Sequence, residues 1–187
     1  MNLKSIITVM ALILIMFMAA IETSIISLAL PTIKNSFNAG NLVSLVFTVY
    51  FIALVIANPI VGELMSRFKI INIAVVGVSL FALGSLMSGL SQTFTFLIIS
   101  RIVQGFGAGV MMSLSQIVPK LAFEIPLRYK IMGIVGSVWG ISSIIGPLLG
   151  GAILEFASWH WLFYINIPIA ILAIILVFMT FHFPDET

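Results

Sequence analysis

The sequence predicts an all-α integral membrane protein of six transmembrane helices, with both termini on the cytoplasmic side. Three observations carry this prediction. Of the 187 residues, 61% are hydrophobic and only 7% are charged, with a mean hydropathy of +1.28. A water-soluble domain carries roughly 25% charged residues, so this chain has too little polar surface to face water. The apolar residues gather into six runs near the ~20 residues that cross a bilayer, and the basic residues fall on alternate loops.

The first run, 6–30, follows Lys4 and has small residues at Ala19 and Ala20. That start resembles a secretory leader, but the run passes one acid and continues to Leu30, too long for a leader's apolar core. It is read as the first span. Pro31 through Asn41, with Gly40, breaks it from the second span, 42–64. The third, 71–90, and the fourth, 94–118, are separated by Ser91–Thr93. Pro119 and Pro126 mark the loop before the fifth, 131–154, and Pro184 follows the sixth, 161–183. No connection is long enough for a soluble domain.

Basic residues in short loops set orientation. An inside N-terminus places Lys4, Arg67, Lys69, Lys120, Arg128 and Lys130 in the cytoplasm and leaves Lys34 alone outside. The even span count returns Asp185 and Glu186 to the inside. A net charge of +2 spread over an apolar chain makes no patch for nucleic acid. The chain has no cysteine, which excludes disulfides and thiolate metal sites. His160 and His182 share no ligand spacing, so no metal site is expected.

Two charges interrupt the spans. Glu22 lies in the first and Arg101 in the fourth, and such residues usually face a bundle interior. Glu22 precedes Leu30, the outer end of its run, by about 12 Å of helix, and Arg101 follows Phe94 by about 10 Å. The two therefore share a level in the outer half of the membrane. Arg101, Gln104, Gly105, Ala108 and Met112 recur at three- and four-residue spacing on one helix face. Thr23, Ser24 and Ser27 add polar groups beside Glu22. One reading is a structural ion pair that locks the first span to the fourth. The other is a carboxyl that exchanges protons, pulled one way by burial and the other by arginine.

Glycines mark the fifth span. Gly136 and Gly140 are four apart, as are Gly146 and Gly150, a spacing that lets helix backbones approach in lipid. Pro147 removes a donor and favours a kink. The fourth span has its own pair, Gly105 and Gly109.

With these residues in place, the chain resembles the major facilitator superfamily, specifically its fourteen-span drug:proton antiporters. Residues 22–31, ETSIISLALP, resemble the family's first-helix pattern, with Glu22 for the usual Asp and Ser24 and Ser27 for Thr and Asn. Residues 101–109, RIVQGFGAG, resemble its fourth-helix motif linked to proton coupling. Gly133, Gly146, Pro147, Gly150 and Gly151 resemble the fifth-helix antiporter motif, with Ser142 where Gly is usual. Residues 159–168, WHWLFYINIP, resemble the fourteen-span branch, with His160 in place of Arg. The loop after the second span departs most. Gly62, Leu64 and Arg67 match, but Ser66 stands for the gate Asp and Lys69 for Gly, leaving Glu63 as a partial substitute.

The resemblance implies an N-terminal lobe of a major-facilitator fold, built as 3+3 inverted repeats, in a bacterial-type cytoplasmic membrane. It implies proton-driven export of lipophilic, often cationic compounds by alternating access, with Glu22 and Arg101 in proton coupling. Cofactors are not expected; the proton gradient supplies the energy. The expected partners are the lipid bilayer, a small-molecule substrate and a C-terminal transporter half, on the same or a second chain. Phe47, Tyr50, Asn58, Met111, Met112 and Trp139 are candidates for the substrate cavity, with cation–π contact as the chemistry. Export of a specific metabolite is the alternative, and a six-helix membrane protein without transport of its own is a third. An intramembrane enzyme is not supported, because no serine-elbow, HExxH, paired-aspartate or phosphate-loop motif occurs.

Overall fold

A computed structural model of the chain describes residues 3–38 and 40–180. The helices are α1 Leu3–Phe37, α2 Leu45–Leu64, α3 Ile70–Gly89, α4 Phe94–Ala122, α5 Leu127–Phe156, α6 Trp161–Tyr164 and α7 Asn166–Thr180. A 3-10 turn, Gly40–Ser44, leads into α2. The short α6 and α7 together form the sixth span, and among the described residues six spans are long and apolar enough to cross a membrane. The protein is a multi-pass membrane protein.

Two of the expected breaks start later than the prolines that open them. Pro31 lies inside α1, which runs on to Phe37, and Pro119 lies inside α4. A proline deletes one helical hydrogen bond and crowds one carbonyl. Here the apolar face continues past it, with Ala29 and Ile33 fully buried on either side of Pro31. Helix α1 ends instead where Asn38 (φ 51°) and Gly40 (φ 59°) take the left-handed conformation that these two residue types tolerate best. Thr93 caps α4 by accepting from the Phe96 N–H at 3.2 Å. Residues 181–187, with the expected end of the sixth span, His182, Pro184, Asp185 and Glu186, lie outside the described residues.

The packing has an internal symmetry. Helix α4 packs on α2 and α3, while α1 packs on α5 and α7; α1 also meets α4, and α3 meets α7. Exchanging the first span with the fourth, the second with the fifth and the third with the sixth turns this set of contacts into itself. With three spans in each triplet, the second begins on the opposite side of the membrane from the first. The two triplets therefore form an inverted repeat. α1 and α4 occupy the centre, and α2 and α5 lie at the margin: 28% of each marginal span is buried, against 61% for α1.

Glycine decides how closely α4 is embraced. A Cβ on Gly105 or Gly109 would overlap the α2 backbone carbonyls of Tyr50 and Leu54, and Ala53 and Ala57 face them from α2. On the opposite side, Gly107 and Gly84 let α4 and α3 approach backbone to backbone. In lipid, where burial of apolar surface gives helices little preference for one another, such approach is a main source of attraction.

The core is divided in two. One apolar cluster, with Leu12, Ile15, Phe81, Met111 and Leu114, fills the half nearer the termini. The other, with Ile25, Ile26, Val46, Leu97 and Phe163, fills the half nearer the α1–α2 and α5–α6 connections. Between them lies a polar layer.

Candidate functional site

The layer forms where the two central helices cross. Glu22 on α1 is 1% exposed and Arg101 on α4 is fully buried. Arg101 Nη1 donates to Glu22 Oε1 at 2.5 Å. The same nitrogen donates to Gln104 Oε1 at 2.9 Å, three residues along on the same face. Arg101 Nε donates to the Val46 carbonyl at the start of α2, 2.9 Å away. The guanidinium lies over the Tyr50 ring, with Cζ 4.2 Å from its centroid, and Phe163 flanks it at 5.9 Å. One side chain thus binds α1, α2 and its own helix, using the planar fork that lysine lacks.

Two further helices join through groups that the sequence pattern does not single out. Asn166, the first residue of α7, donates from Nδ2 to Glu22 Oε2 and to Ser85 Oγ, each at 3.0 Å. Ser85 on α3 also accepts from Gln104 Nε2 at 2.7 Å. The carboxylate therefore has one oxygen on a cation and the other on a neutral amide. Asn166 was detectable as a lone amide within an apolar span, which is a functional flag in membrane proteins. Ser85 carried no such signal, because serine is common in membrane helices and bonds its own backbone at little cost.

Satisfaction of the layer is incomplete. Arg101 Nη2, Tyr50 Oη and Asn166 Oδ1 are buried with no hydrogen-bond partner, as are Ser88 Oγ and Ser142 Oγ. Buried polar atoms are normally paired, and each exception calls for a reason. One of the three belongs to the ion pair itself, and the other two to side chains that touch it, Tyr50 under the guanidinium and Asn166 on the carboxylate.

The other predicted residues lie elsewhere. Ser24 and Ser27 do not join the layer. Two and five residues on from Glu22, they point to other faces of α1. Ser24 sits under Gly146 of α5, and Ser27 is exposed and donates to the Ser24 carbonyl at 2.9 Å. Tyr50 and Met111 are fully buried inside the lobe. Phe47 is half-buried against Phe51, with ring centroids 4.8 Å apart, and Trp139 is half-buried against the terminal-side core. Asn58 and Met112 do share a concavity of about 320 Å³, with Gly62, Ser113, Gln116 and Ile117. Asn58 Oδ1 there accepts from Ser113 Oγ at 2.7 Å.

In the fifth span, Gly146 and Gly150 face α1, whereas Gly133 and Gly151 have nothing within 4 Å of an added Cβ. Ser142 is fully buried, and Pro147 lies inside α5 without ending it. At the gate loop, Arg67 pairs with Glu63 at 3.1 Å across one exposed turn, and Ser66 Oγ bonds the Glu63 carbonyl at 2.7 Å. Gly62 is unobstructed. The 159–168 segment fastens the sixth span. Trp159 Nε1 donates to Ser36 Oγ at 3.1 Å, His160 stacks on Trp159, and Tyr164 Oη donates to the Gly89 carbonyl at 2.8 Å.

Residues 12–187 match the family model of the Major Facilitator Superfamily. The chain is 82% identical over 186 residues to the multidrug efflux pump SdrM of Staphylococcus aureus (strain N315), covering 100% of this chain and 42% of that protein. It is 33% identical over 174 residues to the multidrug transporter protein MdtP of Bacillus subtilis (strain 168), covering 93% of this chain and 32% of that one. The chain thus spans less than half the length of these relatives. The inward-open xylose transporter XylE from E. coli shares the fold, with a TM-score of 0.83 at 16% identity, over 96% of this chain and 49% of that structure. The chain belongs to the major facilitator superfamily, and its described residues fold as six membrane-spanning helices.

Proposed function

We propose that this chain, as a member of that superfamily, is the N-terminal lobe of a proton-coupled efflux antiporter. Both termini face the cytoplasm of a bacterial-type cell membrane, and Glu22 is the group that exchanges protons. One observation carries the reading: a carboxylate buried between two apolar clusters, held by a single cation, with unpaired polar atoms around it. A fixed structural pair gains most when every lone pair and N–H is satisfied. This pair is not satisfied in that way, which suits a group that changes state.

The cycle follows from charge. With Glu22 ionised, Arg101 and Glu22 cancel and α1 is held to α4. Protonation removes the attraction and leaves Arg101 to its remaining partners, Gln104, Val46 and the Tyr50 ring. The central helices are then free to change their relation, and the second half of the transporter completes the path. Lipophilic, often cationic substrates fit a gradient-driven exchange in which one positive charge leaves as another enters. The 82% identity to a multidrug efflux pump supports the efflux part of this reading. The test is substrate-stimulated proton release by the full-length protein in proteoliposomes. Glu22→Gln is expected to abolish release while keeping substrate binding, and coupled transport at the wild-type rate in that variant would overturn the proposal.

A further inference from the structure

We propose that Asn166 is a positioning residue that ties the charge state of Glu22 to the break in the sixth span. The inference rests on Glu22 as the proton-exchanging group and adds the element that responds to it.

The placement is specific. Asn166 is fully buried and begins α7 directly after the junction at Ile165, where α6 ends. Pro168, two residues on, has no N–H to offer the Tyr164 carbonyl, so the helical bond that would bridge the junction is missing. A segment of helix freed from its ladder needs another anchor, and the anchor here is a side chain. Asn166 Nδ2 bonds Glu22 Oε2 and Ser85 Oγ, fixing the start of α7 to α1 and α3 together.

The anchor depends on charge. Arg101 occupies Oε1, so a proton arriving at Glu22 adds to Oε2, the oxygen that Asn166 holds. The bond to an ionised carboxylate is charge-assisted and roughly twice as strong as a neutral one. Once Oε2 carries hydrogen, an N–H donor faces an O–H donor and the bond is lost. A half-turn of the amide then presents Oδ1, which has no partner, to that O–H. The new bond is neutral and weaker than the charge-assisted one it replaces, while the Ser85 hydroxyl can donate to the same Oδ1. The junction is therefore held less firmly when Glu22 is neutral.

The groups that face Glu22 allow few competing explanations. Among the described residues, Arg101 on α4 and Tyr50 on α2 are the ionisable side chains around it, while α3 and α7 contribute the non-ionising Ser85 and Asn166. On the junction side, His160 precedes α6 and is the titratable side chain to control for.

The test is amide hydrogen exchange across residues 161–172 in the full-length protein, with His160→Gln present in every sample. After correction for intrinsic exchange, the wild-type junction is expected to exchange roughly fivefold faster or more when Glu22 is protonated than when it is ionised, the difference between a charged and a neutral hydrogen bond. Asn166→Leu, similar in size, is expected to exchange fast at every pH, and Asn166→Gln to restore part of the pH dependence. At a single pH, Glu22→Gln should match the acidic wild type. A flat wild-type profile, or an Asn166→Leu profile that follows pH like wild type, overturns the inference. Loss of proton-coupled transport in Glu22→Gln together with a flat profile leaves the antiport reading standing and removes only this one. A responsive junction with coupled transport intact in Glu22→Gln does the reverse.

Discussion

The two triplets of this lobe, α1–α3 and α4–α7, follow one packing plan and meet it with different residues. The marginal helix of the first, α2, seats on the central helix of the second, α4, at two levels, Gly105 and Gly109, and at both the obstacle to a side chain is α2 backbone. In the second, the marginal helix α5 seats on α1, and the glycines have moved to the marginal helix. At Gly146 an added Cβ would come within 2.5 Å of Ser24 Cβ, but one turn on, at Gly150, the nearest atom is Leu28 Cδ2 at 3.2 Å. Further toward the other end, Gly136 and Gly140 have nothing within 4 Å. α2 is thus clamped at two levels and α5 at one. A helix held closely at one level, with Pro147 beside that level, is the better placed to rock. The same four-residue glycine spacing is a clamp on α4 and an open face on α5.

This contrast can be broken most severely where the triplets join. Arg101→Ala leaves Glu22 buried without a cation, and removal of one partner of a buried pair costs about 3–5 kcal/mol. The midpoint of thermal unfolding of the detergent-solubilised protein should fall accordingly. Arg101→Lys should fall less, losing the Val46 and Tyr50 contacts but keeping the charge. An unchanged midpoint in Arg101→Ala would mean that helix packing alone holds the triplets together.

The clamp comes next. Gly107→Ala pushes a methyl into the α3 backbone at Phe81, and Gly105→Ala into that of α2 at Tyr50. Overpacking of this kind costs about 1–3 kcal/mol, read in the same unfolding assay. Gly150→Ala should cost less than about 1 kcal/mol, because the tip of Leu28 can turn aside. The smallest expected effect is the most informative. Gly136→Ala and Gly140→Ala should leave stability unchanged or raise it by up to about 1 kcal/mol each through helix propensity. Loss of transport by the full protein with that stability intact would assign the open face to contacts beyond this lobe, whereas a destabilised lobe would show that α5 is clamped along its whole length.

Legibility in the sequence followed the range of the interaction. The polar layer was half visible. Glu22 and Arg101 stand out because charge in an apolar run is rare, and their common level follows from the helical rise. Gln104 follows from its three-residue spacing to Arg101. Ser24 and Ser27 are near Glu22 in sequence but not in space, because a helix turns each residue by about 100°. Tyr50, expected as a cavity wall, has its ring under the guanidinium, a contact that its spacing in the sequence does not reveal. Pro31 and Pro119 lie inside α1 and α4 rather than at their ends, since continued burial on the far side outweighs one missing bond.

Hydropathy, loop charge and rise per residue were enough for six spans, their approximate limits, the expected orientation and the two charges that belong inside. All of these signals are local. Three further features came from the packed fold: Ser85 and Asn166 complete the layer, Gly105 and Gly109 pack while Gly136 and Gly140 do not, and α2 and α5 are margins. They depend on how each helix is rotated about its axis and which neighbour it meets. In water, an apolar stripe against a polar face would announce the rotation. In lipid both faces are apolar, and the rotation is set by backbone approach and a few buried hydrogen bonds that no single span contains.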